Sequence, residues 1–272
     1  MGNRFGPHNL YRVGGILGQR LGCQVYWRLK KREGDFAFRI VDSLVHKGDT
    51  VVDVGAAWGL YSWRLAELVG RSGHVYLFEP HPVHVRCLES LCGSCPNLTI
   101  YSLALSDRAG QSTLYVPIRR GWPSYTRAAL AIAPELSTTP HVSVEVRLER
   151  LDRLLGSAAS PISFIKCDVE GHELAVLRGA DATLRRWKPT LLVEVEQRHQ
   201  NSPIQETFDH LQALGYVGYA IRSTGIRPLA EFDIYRDQVS QLGWRGKAPP
   251  TYVHDFLFVQ PDLGVKHLLA PS

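Results

Sequence analysis

Four carboxylates stand where apolar runs end. Asp53 interrupts Thr50-Val-Val-Asp-Val-Gly55, and Glu79 closes His74-Val-Tyr-Leu-Phe-Glu79. Asp168 closes Phe164-Ile-Lys-Cys-Asp168, and Glu194 follows Leu191-Leu-Val193. Runs rich in β-branched and apolar residues read as strands buried on both faces. An acid at the end of such a strand is costly unless something binds it, so these positions mark a ligand site. After Asp53 come Gly55, Ala56, Ala57 and Gly59, and then an apolar helical pattern that opens with Tyr61 and Ser62. Gly55 permits a turn that a side chain would obstruct, the alanines let a ligand approach the main chain, and the helix start offers unpaired N–H groups.

The turn discriminates between cofactor classes. Dinucleotide enzymes show G-x-G-x-x-G, and the run Asp53-Val-Gly55-Ala-Ala-Trp-Gly59 lacks its second glycine. An acid two residues before the first glycine is instead the pattern of S-adenosylmethionine-dependent methyltransferases. Glu79, followed by Pro80, is placed to hold ribose hydroxyls. The expected donor contacts are Asp53, Gly55, Ala56, Ala57, Gly59, Tyr61 and Ser62 at the first turn, with Glu79 and Pro80 at the second. Ala104, Leu105 and Ser106 are expected beside the adenine, and Asp168 at the fourth strand. A nicotinamide oxidoreductase on a degenerate turn and a non-catalytic cofactor-binding module are the alternatives.

The segment Phe164-Ile-Lys-Cys-Asp-Val-Glu-Gly-His-Glu173, followed by Leu177-Arg-Gly-Ala180, resembles the hallmark of the FkbM-type methyltransferase family. Val51-Val-Asp-Val-Gly-Ala56, Phe78-Glu-Pro80, Leu103-Ala-Leu-Ser-Asp107 and Leu192-Val-Glu-Val-Glu196 stand around it in that family's order. The resemblance covers about residues 48–200, and more loosely extends to Asp255-Phe-Leu-Phe-Val259. Ala57-Trp58 departs from it, where the family more often has Asn and a small or β-branched residue; this bears on the local shape of the methionine pocket. The resemblance implies an α/β, seven-stranded Rossmann-like sheet, mostly parallel with an antiparallel last strand and helices on both faces. It also implies S-adenosylmethionine as cofactor and O-methylation as the reaction.

Methyl transfer to a hydroxyl requires a group that takes the proton. His172, whose unperturbed pKa suits a base, is the first candidate. Glu170 and Glu194 are acids of the same strand mouths, and Lys166, on the same side of its strand as Asp168, is expected to pair with an acid. No ligand spacing marks a metal site. The Asn/Asp-Pro-Pro-aromatic motif of amino methyltransferases is missing, where the sequence reads Asp168-Val-Glu-Gly171. This argues against base or amide N-methylation and for O-methylation, as the resemblance also implies; a hydroxyl of a sugar, glycolipid or natural product is the expected acceptor class, with no nucleic acid as partner. Pro117–Arg127, with its aromatics and arginines, is a candidate acceptor wall or lid.

The remaining features bound the setting. Residues 1–35 hold seven basic and two acidic residues, which is the whole net charge of +5. This basic arm could touch an anionic membrane or glycolipid, or pack beside the sheet. The body, residues 36–272, is expected as one methyltransferase domain with insertions near 117–141 and 223–253. The five cysteines are odd in number, with no secretory signal before them, so reduced thiols and a cytoplasmic, at most membrane-peripheral, location are expected. Cys87, Cys92 and Cys95 with His81 and His84 have the residue types of a zinc site. Yet His81–Leu91 reads as an amphipathic helix, so no metal ligand set is assigned.

Overall fold

The structure, a computed structural model, describes residues 7–33, 35–92, 95–119, 121–130, 139–156, 160–242, 249, 251–265 and 268. Helices α1 (Pro7–Arg32) and α2 (Phe36–Leu44) precede β1 (Thr50–Val54), α3 (Leu60–Val69), β2 (His74–Phe78), α4 (Pro82–Cys92) and β3 (Leu98–Tyr101). A separate small sheet follows: β4 (Ala104–Leu105), β5 (Gly110–Arg119), β6 (Trp122–Pro123) and β7 (His141–Glu149). The chain then returns through α5 (Leu151–Leu155), β8 (Ile162–Cys167), α6 (Glu173–Arg178), α7 (Asp181–Trp187) and β9 (Thr190–Glu194). It ends with α8 (Gln205–Ala213), β10 (Val217–Arg222), β11 (Gly225–Pro228), α9 (Ile234–Asp237) and β12 (Asp255–Val259).

The main sheet has the order β11-β10-β12-β9-β8-β1-β2-β3. From β9 to β3 every pairing is parallel, and β12 lies antiparallel between β9 and β10. The sheet has eight strands where the sequence led to seven. The extra strand arises because Ser223 and Thr224 turn the chain back, pairing Arg222 with Gly225. The expected insertion at 223–253 therefore begins as sheet, and its residues 243–248 and 250 lie outside the described residues. In the other insertion, residues 120 and 131–138 also lie outside them.

Alternation along the strands divides the interior into two apolar layers. Val52, Val54, Ile165 and Val193 face α5, α6, α7 and α8, whereas Val51, Phe164 and Leu192 face α1, α2, α3 and α4. The basic arm thus joins the fold as a helix: Trp27 packs edge-on against Phe38 and Tyr61 at centroid distances of 4.4 and 5.3 Å. The helix expected over 173–186 is broken at Gly179. A Cβ there would lie 2.0 Å from the Ser106 carbonyl oxygen, so the break lets the β4 loop approach the backbone. Asp152 then caps α7, its carboxylate accepting from the Ala182 and Thr183 amides at 2.9 and 2.8 Å.

Phe208, 1% exposed, sits among Phe232, Phe256 and Phe258 where α8 covers the antiparallel edge. Phe208→Ala is expected to cost about 3–5 kcal/mol, seen in urea unfolding as a lower midpoint at unchanged m-value.

Candidate functional site

The turn after β1 is built from backbone conformations that side chains resist. Gly55 has φ 78°, and a Cβ on it would lie 1.8 Å from the Asp168 carbonyl oxygen. Ala57 and Glu170 also occupy the left-handed region, at φ 47° and 53°. Such conformations in non-glycine residues concentrate where a ligand is held. Glu79 fixes the turn: one carboxylate oxygen accepts from the Ala57 amide at 2.8 Å and the other from the His81 amide at 2.7 Å. Each oxygen retains a lone pair for a further donor, such as a ribose hydroxyl. His84 Nδ1 lies 3.4 Å from the same carboxylate.

A cleft of about 80 Å³ opens beside this turn. Of the expected donor contacts, Gly55, Ala57, Glu79, Pro80, Ala104, Leu105 and Asp168 line it, as does Glu170. Asp53, Ala56, Gly59, Tyr61, Ser62 and Ser106 stand outside the lining. Asp53 and Ser62, both 0% exposed, form an internal tie in which the Ser62 hydroxyl donates to Asp53 Oδ2 at 2.7 Å. Burial raises the Asp53 pKa, and Lys166 opposes the rise. The cleft is small beside the ~300–1,000 Å³ of nucleoside-sized sites. Its outer wall is Tyr125, Ala128 and Leu130, and this wall must yield for a nucleoside to enter. Tyr125 packs on the His81 ring at 4.9 Å, so the segment expected as an acceptor wall or lid contributes a residue to this cleft. Burial and the neighbouring His84 push His81 down to about 4, leaving it neutral near pH 7.

A charged cluster adjoins the cleft. Lys166, opposite Asp53 in register, donates to Asp168 Oδ2 at 3.2 Å and lies 4.7 Å above the Tyr61 ring. Burial lowers the Lys166 pKa, but Asp168, Asp53 and Glu194 raise it further, so the ammonium stays charged. Burial and Glu194 raise Asp168 well above the usual carboxylate range. Antiparallel pairing sets Asp255 beside Glu194, and His254 Nδ1 lies 3.3 Å from Glu194 Oε1. Burial works against the carboxylate at Glu194, yet His254 brings it down to about 2. Burial, with the neighbouring carboxylates of Glu194 and Asp35, pushes Asp255 up to about 7 against the pull of His254 and Lys166. Burial lowers the His254 pKa, but Asp255 and Glu194 hold it well above the usual imidazole value.

Glu194, His254 and Asp255 bring potential metal-ligand atoms within 4.8 Å of one another. A protonated imidazole has no lone pair to give, so a cation could bind all three only after His254 lost its proton. The cysteines and histidines of α4 form no such group among the described residues. Cys87 is buried, Cys95 accepts from Arg20 at 3.8 Å, and the Cys92 side chain lies outside the described residues.

His172 is placed elsewhere. Its Nε2 lies 2.9 Å from the Ser106 hydroxyl, burial lowers its pKa, and it is absent from the cleft lining. His254 and Asp255 were missed in the sequence because only antiparallel pairing of the last strand brings them to Glu194. Glu173 was missed too. Its Oε1 accepts from the Val169 and Gly171 amides at 3.1 and 3.0 Å, which holds the turn after β8. A second cavity, about 570 Å³, opens at this end of the sheet, with His254, Asp255, Asp35, Phe36, Tyr252 and the Ser223–Thr224 turn in its wall.

Residues 53–219, more than half of the chain, match the profile of the methyltransferase FkbM domain. No curated protein matches the chain. An FkbM methyltransferase structure from Methylobacillus flagellatus is similar at 13% identity and TM-score 0.48, covering 94% of this chain and 58% of that one. Aeropyrum pernix fibrillarin with bound S-adenosylmethionine is similar at 12% identity and TM-score 0.45, covering 79% and 68%. An S-adenosylmethionine-dependent O-methyltransferase from Thermotoga maritima is similar at 15% identity and TM-score 0.43, covering 84% and 64%. The chain therefore spans less than two thirds of the length of the Methylobacillus and Thermotoga chains.

The Glu79 carboxylate and the Gly55 turn fit S-adenosylmethionine. Glu79→Gln keeps the side-chain size and removes the charge and one acceptor oxygen. It is expected to weaken S-adenosylmethionine binding by about 10–100-fold in calorimetry, the usual worth of hydrogen bonds to a charged group. Gly55→Ala should abolish binding, because its Cβ meets the Asp168 carbonyl. Unchanged affinity in both variants would remove the donor from this cleft.

Proposed function

The chain belongs to the FkbM methyltransferase family, and from that premise we propose that it is an O-methyltransferase whose acceptor is a sugar hydroxyl of a glycan or glycolipid. S-adenosylmethionine is its cofactor, and when bound it supplies a methyl group already activated on a sulfonium. The reading rests on the second cavity, which adjoins the charged cluster at the strand mouths. Its wall offers the carboxylates of Asp35 and Asp255, the hydroxyls of Ser223, Thr224 and Thr251, and the rings of Phe36 and Tyr252. Carboxylates and hydroxyls match the donors and acceptors of a polyol, and the rings cover its C–H face.

An alcohol loses its proton as the new bond forms, and a side chain on the acceptor's side must take it. Asp255 lines the cavity, lies 3.7 Å from His254 Nδ1, pairs with Glu194 in strand register, and is pushed up to about 7 chiefly by burial. It is the proposed proton acceptor, with Glu194 and His254 positioning it. Lys166 keeps Asp168 and the turn in place. His172, bound to Ser106, supports the loop between β4 and β5.

The test begins with a panel of glycans, glycolipids and phenolic alcohols given labelled methyl donor. With an acceptor found, Asp255→Asn is expected to lower turnover by about 10²–10⁴ while donor affinity stays within a few-fold. A carboxyl accepts a proton only when ionised, so the wild-type rate should rise with pH through about 7, and Asp255→Asn should lose that limb. His172→Ala should retain both rate and limb. The opposite pattern would give the role to His172, and methylation of phenolic acceptors alone would overturn the sugar reading.

A further inference from the structure

Helix α1 carries an outward face that the fold does not cover. Leu21, Val25 and Leu29 are 59%, 42% and 41% exposed. Their four-residue spacing stacks them along one side of the helix. The opposite side is spent on the core, where Cys23 and Trp27 are buried. Arg28 and Arg32 are exposed between and beside the three apolar side chains.

A groove of about 750 Å³ runs next to this ridge, between α1, α2 and α3. Five cations line it, Arg28, Lys31, Arg32, Arg39 and Arg64, against two acids, Asp42 and Glu67. The acids are already taken. Asp42 accepts from both Lys31 and Arg64, and Glu67 lies 3.1 Å from Arg64. Arg28, Arg32 and Arg39 have no acid partner among the described residues.

We propose that this face docks on an anionic lipid bilayer, with the ridge of Leu21, Val25 and Leu29 at the headgroup–acyl boundary and the groove receiving lipid phosphates. Apolar side chains interleaved with arginines on one exposed helix face match the two layers of such a surface, acyl chains below and anionic headgroups above. A polyphosphate chain such as nucleic acid would satisfy the arginines and leave the ridge in water. A second copy of the chain would also cover the ridge but would leave the lipid-phosphate match of the groove unused, and the test separates that outcome. No described helix is long and apolar enough to cross a membrane.

The test uses the full chain and sedimentation with vesicles of phosphatidylglycerol and phosphatidylcholine, against phosphatidylcholine alone. Binding to the anionic vesicles is expected, falling steeply as salt is raised. Arg28→Glu with Arg32→Glu, and separately Leu21→Glu with Leu29→Glu, should each reduce partitioning by about tenfold or more. All four positions are exposed, and donor affinity within a few-fold of wild type reports that each variant is folded. Equal partitioning by wild type and both variants would overturn the proposal. So would a concentration-dependent dimer that Leu21→Glu dissolves, since the ridge would then belong to a second copy. Competition by millimolar inorganic phosphate, with binding unaffected by the leucine changes, would reduce the face to an anion groove. None of these readouts depends on the acceptor, so failure here leaves the proposed reaction standing.

Discussion

Lys166 carries a positive charge into a β8 position that is 5% exposed. A buried ammonium persists only where opposite charge and hydrogen-bond acceptors surround it. Asp53 meets it across the β1–β8 register, Asp168 accepts a hydrogen bond from it two residues on, and the Tyr61 ring covers it from α3. Each of these partners belongs to a different element of the site. Asp53 precedes the Gly55 turn, Asp168 precedes the Glu170 turn, and Tyr61 opens the helix that follows the first turn. One charge therefore ties the two turns to the sheet and sets their distance from each other. The close approach of Gly55 to the Asp168 carbonyl is the backbone expression of the same constraint.

The turns then store strain that the rest of the structure balances. Ala57 and Glu170 hold left-handed conformations, each costing on the order of 1–3 kcal/mol. Ala57 is kept there by the Glu79 carboxylate on its amide, and Glu170 by Glu173 on the amides to either side. Glu173 is in turn held by Gln200, which donates at 2.6 Å. His199, next to Gln200, lies 2.9 Å from Glu170 itself. The 197–200 segment after β9 thus supports the turn after β8 through both side chain and backbone, and Gly171 is small enough to admit the His199 carbonyl.

What could be read in the sequence was local. The acid, glycine and alanines around β1 and the acid ending β2 lie within a few residues of the atoms they control, so their residue types announced a nucleotide turn. The alternation of strand and helix announced the sheet. What could not be read depends on pairing between distant strands. Asp255 and His254 look like ordinary polar residues at the start of a strand, and become part of a site only because β12 inserts antiparallel beside β9. The eighth strand hides in a stretch rich in Gly, Pro and charge, where a two-residue turn outweighs weak strand propensity. The partner of His172 is hidden for a similar reason: the break at Gly179 draws the Ser106 loop close enough to bind it.

Charge is sorted along α1 between two cavities. Lys30 and Lys31 are adjacent, and the 100° step of a helix sends them to different sides. Lys30 lines the cavity of Asp35, His254 and Asp255, where it lies 3.9 Å from Asp35. Lys31 lines the basic groove and pairs with Asp42. The last turn of one helix therefore forms a wall of both spaces, and Trp27 anchors that turn to Phe38 and Tyr61 in the core. A surface held along the groove would be separated from the polar cavity by the width of the helix, about 10–12 Å. Because Trp27 fixes α1 to the same Tyr61 that covers Lys166, the spacing between such a surface and the strand mouths is set by core packing.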